Sequence, residues 1–128
     1  MKNILNKKLI ERYSRQIVLK NVGPTGQKKI IKSRVLVVGA GGLGCPVIDY
    51  LSRAGVGNIG VIDHDKVNTS NIHRQSLYNS RDIGKFKVSV IEKKIKFINP
   101  EVKIKIFKEK IEKKNIEKIF KNYDFIID

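Results

Sequence analysis

Gly39-Ala40-Gly41-Gly42-Leu43-Gly44 follows directly on the apolar run Arg34-Val35-Leu36-Val37-Val38. It opens a segment, Leu43 to Ala54, whose apolar residues recur at helical period. A continuous β-branched run ending on glycine is the pattern of a strand buried on both faces, which requires helices above and below the sheet. The G-x-G-x-x-G spacing adds a chemical constraint. Glycine lets the backbone turn tightly and approach a phosphate without a Cβ in the way, and the helix that follows offers free N–H groups and a partial positive charge.

The remaining pattern extends this unit. Leu9, Ile10, Tyr13, Ile17 and Leu19 predict an amphipathic helix from Leu9 to Lys20, broken at Gly23-Pro24, with a short helix from Thr25 to Lys32. Gly55-Val56-Gly57 ends the Leu43 to Ala54 helix, and Pro46 sits near its start, where a missing N–H costs little. Asn58 to Ile62 reads as a second strand closing on Asp63, followed by a polar stretch from Asp65 to Ser80. Lys85 to Ile98 carries Val88, Ile91, Ile95 and Ile98 on one helical face and stops at Asn99-Pro100. Val102 to Phe107, Asn115 to Lys121 and Tyr123 to Ile127 read as strand, short helix and strand. The expected fold class is α/β, a Rossmann-like doubly wound, mainly parallel sheet with an N-terminal helical extension. Residues 1–33 form the helical segment and 34–128 the nucleotide-binding domain. A doubly wound domain does not normally stop at the mouth of a strand, as this chain does at Asp128, so the domain is expected to be incomplete.

A net charge of +15 over 128 residues suggests nucleic acid, but the pattern argues otherwise. The excess is mostly lysine, and between Glu92 and Lys121 it is interleaved with Glu101, Glu109, Glu112 and Glu117, without an arginine stripe or interleaved aromatics. That is the pattern of solvated faces, so no nucleic-acid partner is expected. No apolar run approaches membrane-spanning length, and the N-terminus lacks the apolar stretch and cleavage site of a signal peptide. One cysteine excludes an internal disulfide framework and a self-contained cysteine zinc site, and it suits a reducing, cytoplasmic setting.

Asp63 ends the second strand about twenty residues past the glycines, where a carboxylate accepts bonds from ribose hydroxyls. Loop and carboxylate alone would suggest a NAD-binding oxidoreductase, which stands as the alternative. The following residues favour a triphosphate: Asn68-Thr69-Ser70-Asn71-Ile72-His73-Arg74-Gln75 and Gly84-Lys85-Phe86-Lys87 add cations that can neutralise phosphate charge. Competing readings remain at single residues. Arg15 has Glu11 as a helical i, i+4 neighbour, and Lys87 is one lysine among many.

Read together, six segments resemble the ThiF/MoeB/HesA family, bacterial relatives of the ubiquitin-activating enzymes. They are Arg12-Tyr13-Ser14-Arg15-Gln16, the glycine loop through Cys45, Ala54-Gly55-Val56-Gly57, Asp63-His64-Asp65, Ser70-Asn71-Ile72-His73-Arg74-Gln75 and Gly84-Lys85-Phe86-Lys87, in the family's order. The resemblance implies ATP, Mg2+, a homodimer, and adenylylation of the C-terminal glycine of a ThiS/MoaD-like sulfur-carrier protein, in thiamine, molybdopterin-cofactor or related sulfur transfer. By matched position, Gly39, Gly41, Gly42 and Gly44 would lie against the phosphates, with Asp63 on the ribose and Asp65 beside it. Asn71, Arg74 and Lys87 would grip the triphosphate, supported by Gln75. The catalytic charges would be Arg74, Lys87 and Arg15, the last reaching into the partner subunit's site. Cys45 is expected to pack, since the family's reactive cysteine lies later in its chains. No metal ligand is assigned within the chain. Asp128 aligns with the first Asp of a D-x-T-D-N motif whose metal-binding Asp would fall beyond it. The chain is therefore expected to be a fragment of a longer enzyme, with weak turnover.

Overall fold

The computed structural model describes residues 3–128. At its centre β1, Arg34–Val38, is flanked on one side by β2, Asn58–Ile62, and on the other by β4, Phe125–Ile127; β3, Lys103–Phe107, lies outside β2. All pairings are parallel, with Val37 opposite Val61 on one side and Ile127 on the other. Alternation along β1 divides the core. Val35 and Val37 pack with Cys45 and Ile48 of α4, Gly44–Ala54, and with Val88, Ile91 and Ile95 of α5, Lys87–Ile98. Leu36 faces the opposite side, with Ile62 and with Ile119 of α6, Ile116–Phe120. Two apolar faces, each covered by helices, make the sheet doubly wound, as the apolar β1 run predicts.

The N-terminal segment departs from the single helix expected from Leu9 to Lys20. It forms α1, Lys7–Arg12, and α2, Ser14–Ile17, interrupted at Tyr13. Tyr13 is buried in tertiary contacts: its ring packs on Gly55, and its hydroxyl accepts a 2.9 Å hydrogen bond from Asn99 Nδ2. Those contacts outweigh helix continuity, because a buried phenol needs both its apolar surround and its partner. Gly23-Pro24, expected to break the chain, instead starts α3, Gly23–Lys32. In a first turn the proline's missing N–H is no loss. Gln16 Nε2 and Gln27 Nε2 both donate to Ala54 O, at 2.7 and 3.1 Å, tying α2 and α3 to the C-terminal end of α4.

The polar stretch after β2 is ordered by local capping. Single 3-10 turns at Thr69–Asn71 and Ser80–Asp82 are closed when Asn71 Oδ1 and Asp82 Oδ2 accept the Asn68 and Asn79 amides, each at 2.8 Å. Asp82 also pairs with Lys94 of α5 at 3.2 Å, and Lys94 donates to Leu77 O, which fastens the stretch to the helix.

Candidate nucleotide site

The chain order reverses at β1: β2 and β3 lie to one side and β4 to the other. At such a switch point the loops leaving neighbouring strands diverge and open a crevice. Here the crevice is a cavity of about 660 Å3, lined by Gly39, Gly41, Gly42 and Leu43 of the β1–α4 loop, by Gly44 at the start of α4, and by Ile127 and Asp128 at the end of β4. A smaller one of about 290 Å3 on the other side of Gly39 is lined by Asp63, His64 and Glu109–Ile111.

Two glycines are required by geometry. Gly39 has φ +95°, a left-handed value that side chains resist. A Cβ on Gly44 would drive into the Gly39 carbonyl, so α4 can start this close to the strand only with glycine there. Among the described residues, the N–H groups of Gly41, Gly42 and Leu43 find no acceptor in the chain. Free amides ahead of an eleven-residue helix are an anion cradle.

Of the expected site residues, Arg74, Gln75 and Asp63 border this loop, whereas Arg15, Asn71 and Asp65 form no hydrogen bond with it among the described residues. A Cβ on Gly42 would lie 3.7 Å from Arg74 Cγ, and one on Gly41 would lie 3.8 Å from Gln75 Nε2, so both side chains border the glycines. Arg74 is exposed, and its Nη1 donates to Ser70 O at 2.8 Å. Gln75 is buried, and its Oε1 has no partner among the described residues. Lys87 begins α5 and is only 5% exposed, yet among the described residues it pairs with no carboxylate. Its Nζ lies 6.0 Å from the centroid of the Tyr78 ring.

Asp63 is held by its own chain. Oδ2 accepts the Ala40 amide at 2.8 Å, and Oδ1 accepts the Asp65 amide at 2.7 Å. Each oxygen keeps a further acceptor site for a ribose hydroxyl. Asp65 is exposed, 3.1 Å from His64 Nε2, and its carbonyl accepts the Lys87 amide. Asn71 spends its carboxamide oxygen on capping. Arg15 is exposed on α2 and pairs neither with Glu11 nor with any other described residue.

Tyr78 escaped the sequence reading, while Cys45 packs in the core as expected. Ala40 donates its amide to Asp63, its carbonyl accepts the Tyr78 hydroxyl at 2.7 Å, and Cys45 Sγ lies 3.5 Å from the same oxygen. Burial raises the Cys45 thiol above its ordinary range and pushes the Tyr78 phenol up further still. Both stay protonated donors. Tyr78 sits in a polar stretch with no periodicity to single it out.

Among the described residues the one group of clustered candidate metal ligands is Asp63, His64 and Asp65, and it includes an imidazole, a poor partner for a hard cation such as magnesium. A further groove of about 540 Å3 along α5, floored by Phe86, Val90 and Phe97, offers no comparable set of free amides. No helix among the described residues is long and apolar enough to cross a membrane.

Known proteins resemble the chain over most of its length. A probable molybdopterin-synthase adenylyltransferase of Gracilaria tenuistipitata var. liui is 46% identical over 118 residues, 92% of this chain and 33% of that protein. A sulfur carrier protein adenylyltransferase of Thermus thermophilus is 43% identical over 122 residues, 95% of this chain and 45% of that protein. The chain thus spans a third to just under half the length of these relatives. A crystal structure of E. coli MccB with ATP superimposes with a TM-score of 0.75 at 30% identity, over 84% of this chain and 33% of that one. The profile of the ThiF family matches residues 13–128, which include the glycine loop, Asp63, Arg74 and Lys87. With that match across nearly its whole length, the chain belongs to the ThiF family.

Proposed function

We propose that this chain forms the ATP-phosphate cradle of an adenylyltransferase that activates the C-terminal glycine of a ubiquitin-like sulfur-carrier protein. The observation that carries the reading is Lys87, only 5% exposed and without a carboxylate partner among the described residues. Its Nζ lies 6.0 Å from the centroid of the Tyr78 ring, whose hydroxyl bonds the loop of free amides. A nearly buried lysine that no carboxylate neutralises leaves its charge for an arriving anion, and a triphosphate is such an anion. A NAD-type site has less need of that charge. The names of the two adenylyltransferase relatives and the ATP in the MccB structure support the same ligand and reaction class.

In this reading the amides of Gly41, Gly42 and Leu43 and the charges of Arg74 and Lys87 surround the phosphates. The carrier's carboxylate attacks the α-phosphorus, the bond to the bridging oxygen breaks, and pyrophosphate leaves. The chain's contribution is positioning and neutralisation of charge that grows on the departing oxygens. Asp63 supports the loop and accepts from the ribose, and Asn71 and Gln75 wall the site. Arg15, exposed near the N-terminus, completes a second subunit's site in a homodimer. A cytoplasmic setting accompanies this role. Thiamine, molybdopterin and related sulfur-transfer routes share the chemistry, and a pulldown of Gly-Gly-terminated small proteins distinguishes them.

Titrating the chain with ATP and with NAD tests the ligand. Binding of ATP in preference to NAD is expected. Preference for NAD would replace this reading with a dinucleotide-binding one.

A further inference from the structure

Two consecutive peptide units of the glycine loop are held from different sides. The Gly39–Ala40 unit donates its N–H to Asp63 Oδ2 at 2.8 Å, and the Ala40–Gly41 unit accepts the Tyr78 hydroxyl at 2.7 Å. Among the described residues no peptide bond is cis, and a trans unit keeps its N–H antiparallel to its C=O. Tyr78 is buried in the core with Ala40 and Cys45. The Ala40 carbonyl therefore points inward to Tyr78, and the Gly41 N–H points outward. That N–H has no acceptor among the described residues, and Gly41 lines the cavity. Cys45 Sγ, 3.5 Å from the same carbonyl, is a weak donor, which leaves the phenol as the strong one. The Tyr78 ring also lies near Lys87 Nζ, so one buried side chain meets both halves of the cradle.

We propose that Tyr78 is a positioning residue for phosphate binding: its hydroxyl orients the Ala40–Gly41 peptide so that the Gly41 N–H faces the ligand's phosphates. This rests on the ATP reading above. Tyr78 does not touch the ligand, and its effect passes entirely through the peptide. An aromatic ring serving only as packing would not need the hydroxyl, so Tyr78→Phe separates the two roles.

The experiment measures ATP and adenosine affinities by calorimetry for the wild-type chain, Tyr78→Phe and Cys45→Ala. Adenosine lacks the phosphates and reports general damage to the site. In Tyr78→Phe, ATP affinity should fall about tenfold, the effect of one lost hydrogen bond, while adenosine affinity holds. Cys45→Ala, which also disturbs the core, should leave the ratio of the two affinities at the wild-type value. An unchanged ratio in Tyr78→Phe overturns the proposal, as does an equal loss for both ligands. If Tyr78→Phe does not fold, the wild-type chain decides. Its Gly41 amide resonance should shift on addition of pyrophosphate, and an amide that stays put while pyrophosphate binds overturns the proposal. A wild-type chain that binds neither ATP nor pyrophosphate brings down the ATP reading and this inference with it. One that binds ATP but shows no Tyr78→Phe effect removes the inference alone.

Discussion

The carboxylate of Asp63 reaches back from the end of β2 to accept the Ala40 amide at 2.8 Å, so the second strand holds the loop that leaves the first. Its other oxygen takes the Asp65 amide. Both oxygens face N–H donors, and an amide side chain cannot satisfy both. Asp63→Asn should therefore destabilise the fold by about 0.5–1.5 kcal/mol, the range for one lost hydrogen bond whose donor is open to water. It should weaken ATP binding as well. Thermal unfolding and ATP titration of the variant read the two effects together, and a variant as stable as wild type would show that the carboxylate does not anchor the loop.

Lys87 predicts the opposite pattern. The residue is only 5% exposed and pairs with no carboxylate among the described residues, so its charge contributes little to the stability of the free chain. Lys87→Met keeps the stem and removes the charge. Unfolding stability should hold or rise, while ATP binding weakens by about 1.5–3 kcal/mol, the scale for a hydrogen bond between charged groups. A large loss of stability with ATP affinity intact would mark Lys87 as structural.

The glycines should separate by position. At Gly44 a methyl group meets the Gly39 carbonyl, so Gly44→Ala must move backbone and should cost about 1–3 kcal/mol of stability. At Gly42 the methyl meets only Arg74 carbons and the guanidinium nitrogen, none nearer than 3.7 Å, so Gly42→Ala should fold normally. Its methyl would still stand between the backbone and a phosphate. The expected result is a normal unfolding midpoint with reduced ATP affinity, and the converse ranking of the two variants would contradict it.

Cys45 is fully buried, and its thiol is shifted up from its usual range because burial disfavours the thiolate. The reactive species is therefore scarce as well as inaccessible. Iodoacetamide at neutral pH should leave the native chain unmodified and label it stoichiometrically in denaturant, as read by mass spectrometry. Rapid labelling of the native chain would mean that the start of α4 opens.

The sequence alone determined those parts whose causes are local. An apolar run ending on glycine makes a buried strand wherever it sits, so β1, the loop and α4 were legible together, as was the doubly wound sheet. The six segments that resemble the ThiF family identified it through the kinds of residue and their order, neither of which requires coordinates. Tertiary structure decided everything that depends on segments far apart in the chain. Tyr13 breaks the expected N-terminal helix because Gly55 and Asn99 surround it. Asp63 turned out to brace the loop from the end of the next strand. Tyr78 reaches Ala40 across thirty-eight residues of sequence. Lys87 reads as one lysine among many until folding buries it away from any carboxylate. Hydrophobic period and glycine spacing act over one or two turns of chain. Burial and hydrogen-bond partnership belong to the packed molecule, and in this protein they place the charge and aim the amides.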